Sequence, residues 1–141
     1  MVYEPRPDTV AATCAMQAAR ATARRLTRLY ERHLAPHDLS ASQFTALVAL
    51  ARGVGTVGAL ADALDMDRTT ASRLLTPLRR RGLVATGTGG SDRRVVGLTL
   101  TGAGRATLDA ALPDWAAAQA EAVGAVPDWD GLRDSMAKLG D

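Results

Sequence analysis

The run TVGALADALDMDRTTASRLLTPLRRR, from Thr56 to Arg81, decides the fold. Leu60, Ala61 and Leu64 share one face of a short helix read from Val57 to Leu64, with Thr56 as its cap. Asp65-Met66 leaves room only for a tight connection. Asp67 then stands where a carboxylate accepts the free amide hydrogens of a new first turn, opening a helix over 68–81. In that helix Ala71, Leu74, Leu75 and Leu78 fall at i, i+3, i+4 and i+7, one buried stripe. The remaining positions carry Arg68, Thr69, Thr70, Ser72, Arg73, Thr76, Arg79 and Arg80, with no acid among them. Pro77 removes one backbone hydrogen bond, at about 3 kcal/mol or a kink. The stripe continues past it to Leu78, which predicts one kinked helix, ended by Gly82 in a left-handed conformation. A short helix, a tight turn and a capped second helix make a helix-turn-helix unit, whose second member lies in the major groove of DNA.

The flanks extend this reading. Upstream, residues 9–35 read as one long helix, with Leu26, Leu29, Tyr30 and Leu34 on one face and Pro36 and Asp38 at its end. Ser40 with Gln43 forms a capping-box pattern that opens a helix through Ala51, closed by Gly53 and Gly55. Downstream, 83–86 and 95–100 have strand composition. The eight residues 87–94 read as a loose hairpin tip that carries Arg93 and Arg94. Thr101 caps a helix from 102 to about 123, bent or broken near Pro113, and a last helix runs from 128 to 139. The fold class is therefore mainly α, with one two-stranded β element.

Composition sets the outer limits. A chain of 141 residues, 47% hydrophobic and 23% charged, suits one domain with its own core, here 1–141. No apolar run approaches the roughly 18 residues that span a bilayer, and the N-terminus lacks a signal-peptide layout. With a single cysteine these features point to the cytoplasm and away from a membrane. The net charge of +2 conceals a segregation. Residues 66–94 hold seven Arg and two Asp, net +5, whereas residues 105–141 hold three bases and seven acids, net −4. A basic middle on a helix-turn-helix is an electrostatic footprint for a polyanion.

Arg68, Thr69, Ser72 and Arg73 occupy the leading face of the second helix, where Arg pairs bidentately with guanine and Thr or Ser serves bases or phosphates. Arg79, Arg80 and Arg81 are better suited to phosphates or solvent. On the hairpin, Arg93 and Arg94 are placed to reach an adjacent minor groove. No catalytic constellation, cofactor motif or metal site emerges. The Gly-rich run 87–90 precedes a strand and so lacks the helix N-terminus of a phosphate loop. His33 and His37 are four apart, but Pro36 separates them and no third ligand follows, so an end-of-helix role is expected. A free Cys such as Cys14 commonly behaves as a small hydrophobe. The C-terminal helices carry more apolar residues than a three-helix winged core needs, Trp115 and Trp129 among them, which suits an interface.

Residues 60–75, the Arg81-Gly82-Leu83-Val84 that follows them, and the wing segment Ser91-Asp92-Arg93-Arg94 through Leu98-Thr99-Leu100-Thr101-Gly102-Ala103-Gly104 together resemble the MarR (multiple antibiotic resistance regulator) family. Leu34-Ala35-Pro36-His37-Asp38-Leu39-Ser40-Ala41-Ser42-Gln43-Phe44 is similar to that family's entry into its second helix, and the likeness covers about residues 10–140. The resemblance implies a winged helix-turn-helix lobe at 39–101 and dimerisation helices at 9–35 and 102–141. It implies a homodimer on pseudo-palindromic double-stranded operator DNA, acting as a repressor released by an effector, often a small aromatic or anionic molecule. It also implies that Asp92 orients the wing, leaving Arg93 for the minor groove, with Arg94 either there or paired to Asp67 or Asp92. Some family members sense peroxide through a cysteine near the start of the first helix, which makes Cys14 an alternative regulatory site. The rival reading from another class is a winged-helix protein-interaction module without DNA contact, against which the acid-free face of 68–80 argues.

Overall fold

The structure is a computed structural model that describes residues 2–89 and 92–141, with the side chains of 88–96 outside that description. Among the described residues, seven helices and one hairpin follow in the order α1 (Pro7–Thr13), α2 (Ala15–Leu34), a 3-10 turn (Ala35–His37), α3 (Ala41–Ala51), α4 (Val57–Ala63), α5 (Arg68–Arg80), β1 (Val84–Gly89), β2 (Asp92–Leu100), α6 (Gly102–Val123) and α7 (Trp129–Met136). The mainly α winged architecture is the expected one.

Local signals account for most boundaries. Ser40 and Gln43 close the capping box at α3, each side chain bonded to the other's backbone amide. Thr56, Asp67 and Thr101 cap α4, α5 and α6. Helices α3 and α5 end in the same motif: Gly53 and Gly82 have φ of +101° and +71°. At α5 the Leu83 amide returns to the Leu78 carbonyl at 3.0 Å and the Gly82 amide to the Arg79 carbonyl at 2.9 Å. Helix α4 closes likewise, but with Asp65 at φ +51° and the Met66 amide on the Ala61 carbonyl at 2.9 Å.

Four expectations need correction. The first helix is two helices, α1 and α2, separated at Cys14, whose ψ of 109° takes it out of the helical region. The wing strands are longer than their β-branched content indicates. The ladder pairs Val84 with Leu100 through Thr88 with Val96, then Gly89 with Asp92, with an irregularity between Thr88 and Gly89. Arg93 and Arg94 therefore lie within β2 and not on an eight-residue loop, because ladder hydrogen bonds hold glycine and threonine that local preference leaves loose. Helix α6 runs unbroken through Pro113. The last helix is shorter than expected, ending at Met136.

The core lies where α3, α4, α5, the wing base and α6 meet. Leu34, Leu47, Leu60, Leu75 and Leu78 are fully buried there, with Ala46, Ala71 and Ala111 filling the close approaches. Residues 54–56 join the wing from the side, since Gly55 accepts the Leu98 amide at 2.9 Å and Thr56 bridges to Gly97. The hairpin is thereby fastened to the helix-turn-helix.

Candidate nucleic-acid interface

Helix α5 divides cleanly by face. Ala71, Leu75 and Leu78 are buried, while Arg68, Thr69, Thr70, Ser72, Arg73, Arg79 and Arg80 are exposed and Thr76 is half-buried. The helix begins at Asp67, whose Oδ1 accepts the Thr70 amide at 2.7 Å. That backbone hydrogen bond holds the Asp67 carboxyl below its ordinary range. The acid is engaged as a cap, and no acidic side chain stands among the exposed residues of α5 itself. Pro77 leaves α5 a single helix. Thr76 returns its hydroxyl to the Ser72 carbonyl at 3.2 Å, and the Arg81 amide bonds the Pro77 carbonyl at 3.1 Å, so helical bonding continues past the proline.

Two arginines make contacts that local sequence reading does not supply. A Cβ added at Gly58 would lie 3.0 Å from Nη2 of Arg68, so the Arg68 side chain is laid across the first turn of α4. Arg81, expected at phosphates or solvent, instead donates to the backbone carbonyls of His37 (3.1 Å) and Asp38. Gly58 and Arg81 are positions that sequence reasoning missed. Their partners lie 10 and 43–44 residues away, beyond the reach of any local pattern.

The wing is set by its base. Thr101 accepts the Gly104 amide at 3.0 Å on its Oγ1 and donates the same hydroxyl to the Gly82 carbonyl at 2.6 Å. Its amide bonds the Leu83 carbonyl at 3.1 Å. Gly104 is buried against that carbonyl: a Cβ there would stand 2.1 Å from the Leu83 oxygen. The end of α5, the start of β1, the end of β2 and the start of α6 therefore meet at one joint. The side chains of Asp92, Arg93 and Arg94 lie outside the described residues.

The MarR family model matches residues 37–95, the span from the 3-10 turn to the wing. The Mycobacterium tuberculosis transcriptional regulator MosR, in a crystal structure with DNA, is 38% identical over 91% of this chain and 94% of its own, with a TM-score of 0.85. The chain belongs to the MarR family of transcription regulators. A cysteine-to-serine mutant of Escherichia coli MarR in complex with operator DNA shares the fold at 20% identity, with a TM-score of 0.83 over 94% of this chain and 97% of that one. Bordetella bronchiseptica BpsR, whose DNA binding is regulated by 6-hydroxynicotinic acid, does so at 24% identity, with a TM-score of 0.76 over 89% of each chain. No curated protein sequence matches the chain.

Within this MarR fold, the Leu-Thr-x-x-Gly run of residues 100–104 is the joint just described. Threonine supplies the cap and the cross-link, and glycine the close approach. A crevice of about 580 Å³ opens between α2, α3 and α6, lined by Leu26, Tyr30, Val48, Leu112 and the pair Phe44–Trp115, stacked with ring centroids 6.4 Å apart. Trp115, expected at an interface, thus has one face stacked on Phe44 of the same chain. The Tyr30 hydroxyl donates to Gln119 Oε1, and burial pushes its pKa up. His33 and His37 do not converge. Their Nε2 atoms pair separately with Glu121 (2.8 Å) and Asp114 (2.6 Å) on α6. The His33 hydrogen bond lowers the Glu121 pKa. Cys14 caps α2, its Sγ accepting the Gln17 amide at 3.5 Å. Among the described residues no helix is long and apolar enough to cross a membrane.

Proposed function

We propose that this MarR-family regulator is a repressor that binds a pseudo-palindromic operator as a homodimer, with α5 in the major groove and the wing at the adjacent minor groove. The carrying observation is the exposed, acid-free leading edge of α5, with Arg68 and Arg73 beside Thr69, Thr70 and Ser72, on a helix whose other face is locked in the core. Arg68 and Arg73 read base edges, Arg79 and Arg80 hold phosphates, and Arg93 enters the minor groove with Asp92 bracing the wing. Residues 39–101 act as the DNA lobe of a single domain. Segments 9–35 and 102–141 make the dimer, a reading supported by the exposed Val10, Met16, Leu112, Leu132, Met136 and Leu139. Two-fold pairing would place the two α5 helices one DNA turn apart, about 34–36 Å.

Release would come from a small molecule in the crevice between α2, α3 and α6, whose size falls in the ordinary range for such ligands. Its lining offers aliphatic and aromatic surface with Thr27, Thr45 and Tyr30 as polar points and no cation. That favours a neutral aromatic effector over an anionic one. The decisive experiment is an electrophoretic shift and footprint on the promoter of the chain's own gene. A protected palindrome, with affinity falling steeply as salt rises, is the expected result. Absence of any shift at low salt, with the protein folded, would leave the protein-interaction module as the better account.

A further inference from the structure

The segment between α2 and α3 is held from two sides. Its backbone ends in the left-handed region, with Asp38 at φ +53° and ψ +43°, a conformation uncommon for residues bearing a Cβ and reached most often among them by Asn and Asp. From one side the His37 imidazole is paired with Asp114 of α6 at 2.6 Å. From the other, the Arg81 guanidinium bonds the His37 and Asp38 carbonyls. Arg81 is the C-terminal cap residue of α5. Two successive carbonyls at the end of a helical segment lack partners of their own, and a planar, always-charged fork is suited to take both. Among the described residues no carboxylate lies within ion-pair distance of Arg81.

We propose that Arg81 is a positioning residue for DNA recognition: through the turn at His37–Asp38, itself anchored to Asp114, it fixes the trailing end of α5 relative to α6. The proposal rests on the reading of α5 as the DNA-recognition element. Arg81 is thereby set apart from Arg79 and Arg80, which follow the same basic run but make no such contact. The same turn adjoins Leu34 and Ala41, which line the crevice, so movement of α6 against α2 has a direct mechanical route to α5.

The test compares wild type, Arg81→Gln, Arg81→Ala and Asp114→Ala on operator and on unrelated duplex across a salt series, below the melting transition of each protein. Wild-type operator binding comes first, since its absence refutes the DNA reading itself and not the role of Arg81. For Arg81→Ala the expected loss is about tenfold on operator, the scale of one charge-assisted hydrogen bond. Non-specific affinity and the slope of log affinity against log salt should stay at wild-type values. Arg81→Gln, which keeps an amide donor and loses the charge, should be less impaired with the same slope. Asp114→Ala, on the far arm of the link, should lower operator affinity alone, and its combination with Arg81→Ala should cost less than the two losses added. A slope lower by about 1.8, one phosphate contact per subunit of a dimer, would overturn the proposal, as would parallel losses on both DNAs. Unchanged operator affinity in both Arg81→Ala and Asp114→Ala would also overturn it. If Arg81→Ala does not fold, Arg81→Gln and Asp114→Ala decide alone.

Discussion

Replacing Gly104 by Ala should damage the protein although alanine is the better helix former. The added Cβ would stand 2.1 Å from the Leu83 carbonyl oxygen and 2.7 Å from Leu100 Cδ1, where ordinary contact begins near 3.4 Å. The leucine side chain can turn aside, but the carbonyl is backbone and must move by 3.4 − 2.1 = 1.3 Å. That same oxygen accepts the Thr101 amide at 3.1 Å, a bond such a shift would break. Overpacking of this kind costs about 1–3 kcal/mol, and a lost hydrogen bond adds about 1 kcal/mol. The higher helix propensity of alanine returns about 1 kcal/mol. The balance is a destabilisation of about 2 kcal/mol, or a melting temperature lower by roughly 4–8 °C for a chain of this size. Gly102→Ala is the matched control, since that glycine occupies the same first turn with nothing within 4 Å of an added Cβ. Thermal and urea unfolding of both variants at one protein concentration measures the difference, holding any dimer contribution constant. Equal stability of Gly104→Ala and Gly102→Ala would refute the reasoning.

Three further outcomes follow from the interface. Arg73→Ala should relax sequence preference, whereas Arg80→Ala should weaken all duplexes alike and lower the salt slope; wild-type discrimination by Arg73→Ala in a binding-site selection would remove that residue from base readout. Gly58→Ala should leave the fold intact but push the Arg68 guanidinium off α4, so its operator affinity should change only when Arg68 is present; an equal change in an Arg68→Ala background contradicts the contact. The lowered pKa of Asp67 means the folded state binds that proton more weakly than the unfolded chain. Its contribution is therefore present above the ordinary carboxylate range and lost as pH falls through the folded value. Asp67→Asn keeps a competent cap without the titration, so its stability should decline less steeply on acidification; an acid limb identical to wild type in denaturant titrations counts against the assignment.

Features governed by neighbouring residues were legible in the sequence. The caps at Ser40, Thr56, Asp67 and Thr101, the glycine terminations at 53 and 82, and the buried stripe of α5 each involve groups at most a turn or two apart. From them came the helix-turn-helix and its exposed face. What escaped had no local signal or was set by distant partners. The break at Cys14 interrupts an alanine-rich run with no glycine or proline at the site. The extension of β1 to Gly89 depends on a ladder with β2 and not on the preference of Gly87 or Thr88. The roles of Arg81 and Gly104 exist only once α5, the 3-10 turn, the wing and α6 have been brought together. Arg81 sits in a run of three arginines that local reading cannot tell apart.

If α5 reads bases as proposed, stability and recognition place the same demand on this fold. A binding constellation is specific when its groups are held to within about 0.5 Å of the productive geometry by the scaffold beneath them. Helix α5 is fixed by its Asp67 cap, by the packing of Ala71, Leu75 and Leu78, and by the terminating hydrogen bonds at Gly82. Beyond these lie the Thr101–Gly82 cross-link and the Arg81 contact. None of them uses the exposed side chains of Arg68, Thr69, Ser72 or Arg73. A forced shift of the Leu83 carbonyl in Gly104→Ala would enter through the joint shared by α5 and the wing. Loss of operator discrimination in Gly104→Ala should therefore persist at temperatures where the protein remains folded, separating misplacement of α5 from simple unfolding.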